Sequence, residues 1–477
     1  MLTLLILLHI YFVSFMDKPE KTAPQLSPRA VEQRAKWGIK TDGMDYPVSP
    51  MYMSKVQELG AKIHHKSRWF NGVTCEMDSL TATKVAELKF VTSVEMTRED
   101  KPKSSNISRL KQRIQTASMT EYKAQTENEN YTAAQLALFN LPLLHEAGYK
   151  GQDILMTVCD GGFYNANTLK CFRQDTMELG HFDFTDDKDD FYGSTGTHGT
   201  ECLSTISAYA QNYLGAATQA QYYLMRSEEM GTESPKEMDN LVAALEKADS
   251  LGVNIFSVSL GYAKFDNDKW TLNKNTDLDG KSTRCSRAAT IAARKGMLVC
   301  VAAGNEGNSS WRTISAPSDA DSILSVGAVG IDSLIGNFSS YGPSSDGRIK
   351  PEVCAVGVQT TLIRPDGYIV RSNGTSFATP LIAGMAACLW SALPNENAMQ
   401  IRERIIQSSD RYSDPDTIEN HYGYGIPNAW KALTMQPTGV ESIQDSEVSI
   451  QKIFRDGQLY ILYGGKIYDV LGREMGE

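Results

Sequence analysis

Runs of apolar residues, and the spacing of apolar positions between polar ones, divide the chain into stretches of different character. Leu2 to Phe15 is one apolar run of 14 residues, short of the roughly 20 that cross a bilayer as a helix, and it reads as the centre of a secretory signal ending at residue 16. No Lys or Arg precedes it, and Val13 to Met16 makes an indifferent cleavage site, so a tethered N-terminus or a misplaced start codon are the alternatives. Residues 17 to about 44 are polar. A compact pattern follows: helix Met51–Leu59, strand Ala61–Glu76, helix Ser79–Leu88 and strand Val91–Thr97, a small α+β module. From Arg98 to about Asn130 the chain is rich in Lys, Ser, Gln and Glu without apolar periodicity, the composition of an exposed linker and a place where proteases cut.

A long block begins with a helical pattern from Thr132 to Ala147, then the apolar strand Ile154–Cys159. Met238, Leu241, Val242, Leu245, Ala248 and Leu251 recur at helical spacing, Gly252 stops the helix, and Val253–Leu260 is a continuous apolar strand. The unit repeats as helix Ser286–Lys295, Gly296 and strand Met297–Ala303, with further strands at Ile323–Val329 and Val353–Val356. Strands apolar on both faces that alternate with helices predict a parallel sheet between helix layers. Active sites in such sheets lie at the carboxyl ends of the strands. After Gly439 the pattern changes to short alternating strands, Val448–Phe454, Leu459–Tyr463 and Lys466–Val470, joined by Asp456-Gly457 and Gly464-Gly465. The expected organisation is a signal peptide at 1–16, a module with its linker at 17–128 (core about 45–98), a main domain at 129–436 and a β appendage at 437–477.

With 57 acidic and 47 basic side chains the chain carries no basic excess, so nucleic-acid binding is not expected. The eight cysteines form no CxxC pair, and Cys159, Cys300, Cys354 and Cys388 sit inside apolar runs. They read as buried small hydrophobes, and zinc is not expected for want of paired ligand spacing.

Three segments place a reactive residue where the sheet puts an active site. Asp160 ends the strand in ILMTVCDGGF, with Gly161 and Gly162 allowing a sharp turn. His198, in STGTHGTECLSTISA, follows Gly193 and Gly196 and precedes a helical run from Thr200. Ser376, in NGTSFATPLIAGMAACLW, follows Gly374 and opens an apolar helix, whose N–H groups and positive end surround its Oγ. A serine hydroxyl needs a base to act as a nucleophile at neutral pH; an imidazole supplies one, and a carboxylate fixes its tautomer. Asn305, in LVCVAAGNEGN, ends another strand between Gly304 and Gly307 and can donate to a developing oxyanion together with the Ser376 N–H. Singly these are turn formers, helix caps or a surface histidine; together they form one catalytic set, in the order Asp160, His198, Asn305, Ser376.

The segments DGG, GTHGT, AAGNEGN and NGTSFATPLIAG resemble the four signature segments of the subtilases, over about residues 130–435. The resemblance implies a subtilisin-like three-layer α/β fold with a mostly parallel sheet, and serine endopeptidase chemistry on polypeptide substrates. It assigns Asp160, His198 and Ser376 to the triad and Asn305 with Ser376 to the oxyanion hole. Ser257, Val258, Ser259, Leu260 and Gly261 would pair with the substrate backbone, and Ala302, Ala303 and Gly304 would line the pocket before the scissile bond. Gly161 stands where the family usually has Ser or Thr, and Phe377 where Met is common. The module at 45–98 resembles a subtilase propeptide, an intramolecular inhibitor cut off in the linker, and the tail IYDVLGREM resembles the start of C-terminal sorting domains of exported Bacteroidetes proteins. A truncated sorting domain and a packed β appendage are equal readings of that tail.

Export to the cell surface, periplasm or medium and a monomeric state are expected, with no required cofactor. The acidic run Asp183–Asp190 offers carboxylates for structural calcium but lacks the spacing of a cage, so it reads as a solvated loop. Two rivals remain: a sedolisin-type acid peptidase, against which His198 and Asn305 argue, and a non-catalytic binding protein of the same fold.

Overall fold

The computed structural model describes residues 7–20, 22–99, 130–172, 178–185, 190–193, 196–229 and 231–436, and the backbone of 120–121, 451–455, 458–463, 466–468 and 474–475. In the N-terminal module, strands β1 (His9–Phe15), β2 (Lys62–Ser67), β3 (Gly72–Met77) and β4 (Val91–Arg98) form an antiparallel sheet in the order β2-β3-β1-β4, with helices Pro50–Glu58 and Ser79–Ala86.

The apolar run read as a signal peptide is thus corrected: from His9 onward it is an inner strand of this sheet, hydrogen-bonded on both sides. Its apolar character on both faces has a packing cause. Tyr11, Val13 and Phe15 join the module's core with Val56 and Val85, while Phe12 turns the other way, under the guanidinium of Arg284, 4.4 Å from its ring centre. The polar stretch after it also has structure, including a helix at Pro28–Lys36 capped by Ser27. Most of the linker, 100–119 and 122–129, lies outside the described residues; within it β5 (Thr120–Glu121) pairs with a strand of the main domain.

The main domain holds β6 (Leu155–Asp160), β7 (Glu178–Asp183), the small hairpin β8 (Tyr209–Ala210) and β9 (Tyr213–Leu214), β10 (Gln221–Arg226), β11 (Ile255–Val258), β12 (Leu298–Ala302), β13 (Leu324–Val329) and β14 (Val353–Val356). Seven of these form one parallel sheet in the order β14-β13-β12-β11-β6-β10-β7. Alternation along β6 divides its side chains between two cores. Met156 and Val158 face the helices His198–Ser207 and Thr375–Ala392. Leu155 and Cys159 face Pro235–Leu251 and Arg284–Arg294. The hairpin β15 (Thr360–Ile363) and β16 (Ile369–Ser372) carries β5 and leads into the long helix Thr375–Ala392.

The helix expected at 132–147 is two, Ala133–Ala137 and Leu141–Glu146, because Asn140 adopts a left-handed conformation (φ 55°) just before Pro142. All eight cysteines are buried thiols. Of the acidic run, residues 186–189 lie outside the described residues and Asp183 pairs with Arg226. Residues Met435–Glu477 form a separate unit, in which β17 (Gln451–Arg455), β18 (Gln458–Tyr463), β19 (Lys466–Tyr468) and β20 (Glu474–Met475) make an antiparallel meander.

Candidate active site

Asp160, Asn305 and Ser376 reach one cleft of about 610 Å³ at the carboxyl ends of the strands, where the helix starting at His198 also opens. Asp160 is the last residue of β6 and fully buried. Two contacts hold it: the Gly161 N–H donates to its Oδ1 (2.7 Å), and His198 Nδ1 lies 2.8 Å and 3.0 Å from its two oxygens. An ionised carboxylate only accepts, so Nδ1 carries the proton and Nε2 of the neutral ring keeps its lone pair for the cleft. The glycines make this approach possible: a Cβ at Gly199 would stand 2.5 Å from the Gly162 carbonyl oxygen, and one at Gly162 2.9 Å from Gly196. Burial, the largest single influence, would lower the pKa of His198; the Asp160 charge, the neighbouring Cys202 and the hydrogen bonds to both together reverse this and hold it well above the ordinary imidazole value.

Ser376 is the second residue of its helix and 7% exposed. Four residues on stands Pro380, which has no N–H to bond the Ser376 carbonyl. Two side chains replace that donor: Ser259 Oγ at 2.8 Å and Cys202 Sγ at 3.3 Å. The Ser376 Oγ donates to the Ser259 carbonyl at 3.3 Å. Cys202 also ties the serine to the base, with its sulfur 3.8 Å and 4.0 Å from the two ring nitrogens of His198. Asp160, His198 and Cys202 bring their ligand-type atoms within 4.8 Å of one another. Because the thiol is almost equidistant from both nitrogens, it does not lie along the lone pair of either. Burial pushes the Cys202 thiol up to about 11, so it is protonated and donates to the Ser376 carbonyl.

Asn305 follows Gly304, whose φ of 115° turns the chain out of β12. Its Oδ1 accepts from both the N–H (2.9 Å) and the Oγ1 (3.0 Å) of Thr375. That fixes the orientation of the amide and leaves Nδ2 as the free donor. The Ser376 N–H lies in the first helical turn, where no helix carbonyl is available to it.

Of the expected substrate-contacting residues, Ser259, Leu260, Gly261, Ala302 and Gly304 line the cleft. Ser257, Val258 and Ala303 do not, and are corrected. The first two are buried strand residues paired with β6 and β12 on either side, leaving no free edge, and Ala303 is fully buried behind Gly304. The sequence reading missed Ser259 and Cys202 as partners of the Ser376 carbonyl, although Pro380 was the signal. It also missed Glu201, Glu228, Glu233 and Glu306 in the cleft wall. Burial and the neighbouring Glu233 push Glu228 up to about 8, while the Tyr262 hydroxyl donates to it at 2.6 Å.

Comparison with known proteins agrees with this geometry. Residues 151–425 match the family described as the subtilase family, and residues 10–115 match the peptidase S8 propeptide domain of Bacteroidota, which takes in β1. Subtilisin DY of Bacillus licheniformis is 29% identical over 307 residues, covering 62% of this chain and 98% of that protein. Subtilisin NAT of Bacillus subtilis subsp. natto is 27% identical over 380 residues, covering 79% and 84%. Among solved structures, MycP1 from Mycobacterium smegmatis shares the fold at a TM-score of 0.51 and 20% identity, over 67% of this chain and 90% of that one.

Proposed function

The chain belongs to the subtilase family and is a serine endopeptidase, and on that premise we propose that Ser376, His198 and Asp160 form its triad and that the N-terminal module inhibits it in an exported precursor. A turn about the Ser376 Cα–Cβ bond takes Oγ from the Ser259 carbonyl to His198 Nε2. The oxygen then attacks the substrate carbonyl as Nε2 takes the proton, and Asp160 stabilises the imidazolium. Asn305 Nδ2 and the Ser376 N–H receive the oxyanion. The C–N bond breaks, His198 gives its proton to the leaving amine, and a water activated by the same imidazole hydrolyses the acyl-enzyme. Ser259 to Gly261 continue β11 past its pairing, where a substrate strand can add.

The observation that carries this reading is the paired contact of His198 Nδ1 with both Asp160 oxygens at the mouth of the cleft that Ser376 lines. Processed protein freed of residues 1–128 is expected to cleave casein at neutral pH, and Ser376→Ala is expected not to. Wild-type protein inert under those conditions would leave the non-catalytic binding reading, and cleavage confined to acid pH the sedolisin one.

Export is supported by the Bacteroidota propeptide match and no longer by residues 9–15. Cell fractionation with N-terminal sequencing checks it: the mature chain should be found outside the cytoplasm and begin within 99–130. Recovery only from the cytoplasm would count against export.

A further inference from the structure

The segment between β1 and helix Pro50–Glu58 leaves the N-terminal module and lies across the main domain, far from the cleft. It meets the C-terminal ends of helices Pro235–Leu251 and Arg284–Arg294. Those ends precede β11 and β12, so they mark the amino ends of the strands, whereas Asp160 and Asn305 stand at the carboxyl ends. Strands of four to six residues separate the two places by roughly 13–20 Å.

The contact is a built one. The Ser27 N–H donates to the Ser250 carbonyl at 2.8 Å. Arg29 reaches the Gly252 carbonyl at 3.1 Å and Asn254 Oδ1 at 2.7 Å. Arg34 holds both oxygens of Asp249 at 2.7 Å and Asp45 Oδ1 at 2.8 Å, and Lys295 closes on Asp45 Oδ2 at 2.8 Å. Arg34, Asp45, Asp249 and Lys295 are each 8% exposed or less. The two glycines that end the helices are fitted to the segment: a Cβ at Gly252 would stand 2.7 Å from Ala30 N, and one at Gly296 2.8 Å from Ile39 Cδ1.

We propose that the surface formed by Asp249, Ser250, Gly252, Asn254, Lys295 and Gly296 is an exosite whose main occupant is residues 27–45 of the chain's own pro-segment, with Arg68 of the module at its border on Asp249 and Ser250. The inhibitor is thereby gripped at two places, and cutting the linker does not by itself free it. The inference rests on the reading of the N-terminal module as an inhibitor. With two attachments, loss of one leaves the other to hold the module at high effective concentration, so release requires both to let go or the strap to be cut. The mainly polar character of the exosite fits a surface that must stay soluble afterwards: once the strap leaves, Asp249 and Lys295 regain water instead of remaining buried and unpaired.

The test uses the full chain with Ser376→Ala, to prevent self-digestion, and a site for a specific protease placed within residues 104–115. After cutting, the two fragments are expected to co-elute in gel filtration. Arg34→Ala and, from the opposite side, Lys295→Gln should each speed release at least tenfold, while Glu32→Ala on the same helix should not. Melting curves of the uncut variants show whether they remain folded, and the two substitutions sit on opposite partners, so failure of one to fold leaves the other informative. Separation of the unsubstituted fragments at once, or equal release from the folded variants, overturns the proposal. A parallel sample with Ser376 intact separates the two ideas. If the cut, bound complex turns over peptide as fast as the freed enzyme, the inhibitor reading fails; if it is inhibited but Arg34→Ala changes nothing, the exosite alone fails.

Discussion

Pro380 determines what its neighbours must do. By leaving the Ser376 carbonyl without its helical donor, it commits Ser259 and Cys202 to that oxygen. Because Cys202 still donates to the same oxygen, Ser259→Ala should lower stability by only about 0.5–1.5 kcal/mol in chemical denaturation and reduce kcat more than it raises KM; an unchanged kcat would show that the bond does not position the serine. Asn305→Ala should lower kcat by about 10²–10³ with KM little changed in steady-state assays. For His198 the sign is definite. Catalysis needs the neutral ring, and although burial is the largest single influence and lowers its pKa, Asp160 and Cys202 together hold the pKa above the ordinary value. The acid limb of kcat/KM should therefore lie above about 6.5, and Asp160→Asn should move it to lower pH while reducing kcat by about 10⁴. Asp160, His198, Asn305 and Ser376 stood out as candidates in the sequence because each lies within two residues of a glycine at an element's end, where a side chain can reach a cleft. Ser257 and Val258 were misread because a strand and its extension were taken as one surface, whereas the sheet consumes both edges of the strand part; Ala303, just past β12, was misread because its side chain turns into the core.

Strands fully buried between helix layers were readable as β6, β11, β12, β13 and β14, since nothing but apolar residues suits both faces. The edge strand β7 was not: its residues alternate in exposure, and a short alternating stretch beside Gly and Asp looks like loop. β1 was misassigned for the opposite reason. A strand apolar on both faces at a chain's start has the composition of a leader, and only its pairing between β3 and β4 distinguishes the two. Val13→Asp separates them by experiment. It places an unpaired carboxylate at a fully buried position, a cost of several kcal/mol, so the precursor should misfold and yield little mature enzyme in expression trials. Normal yield would return the run to the role of a removed leader.

At the scale of the molecule, the layered α/β domain and the small α+β module were visible in periodicity, but the strap between them was not. Residues 17–45 are polar because their partners are the charges of another domain, and polarity without periodicity reads as coil. The strap has a pH signature. Although burial opposes its ionisation, Lys295, the Asp42 N–H and Arg34 hold the Asp45 carboxyl below its ordinary value. Its contribution is then fully present above the usual aspartate value near 3.9 and is lost only as pH falls through the lowered one. Cut precursor should stay associated in gel filtration at pH 5; dissociation there would mean that Asp45 does not hold the strap. The central claim, that Ser376 is made a nucleophile by His198 and Asp160, is tested most directly by the rate of covalent labelling with a fluorophosphonate, read by mass spectrometry on processed enzyme. The adduct is predicted on the Ser376 peptide, absent in Ser376→Ala and slowed by several orders of magnitude in His198→Ala. An adduct on another residue, or an active enzyme that takes no label at Ser376, would contradict it.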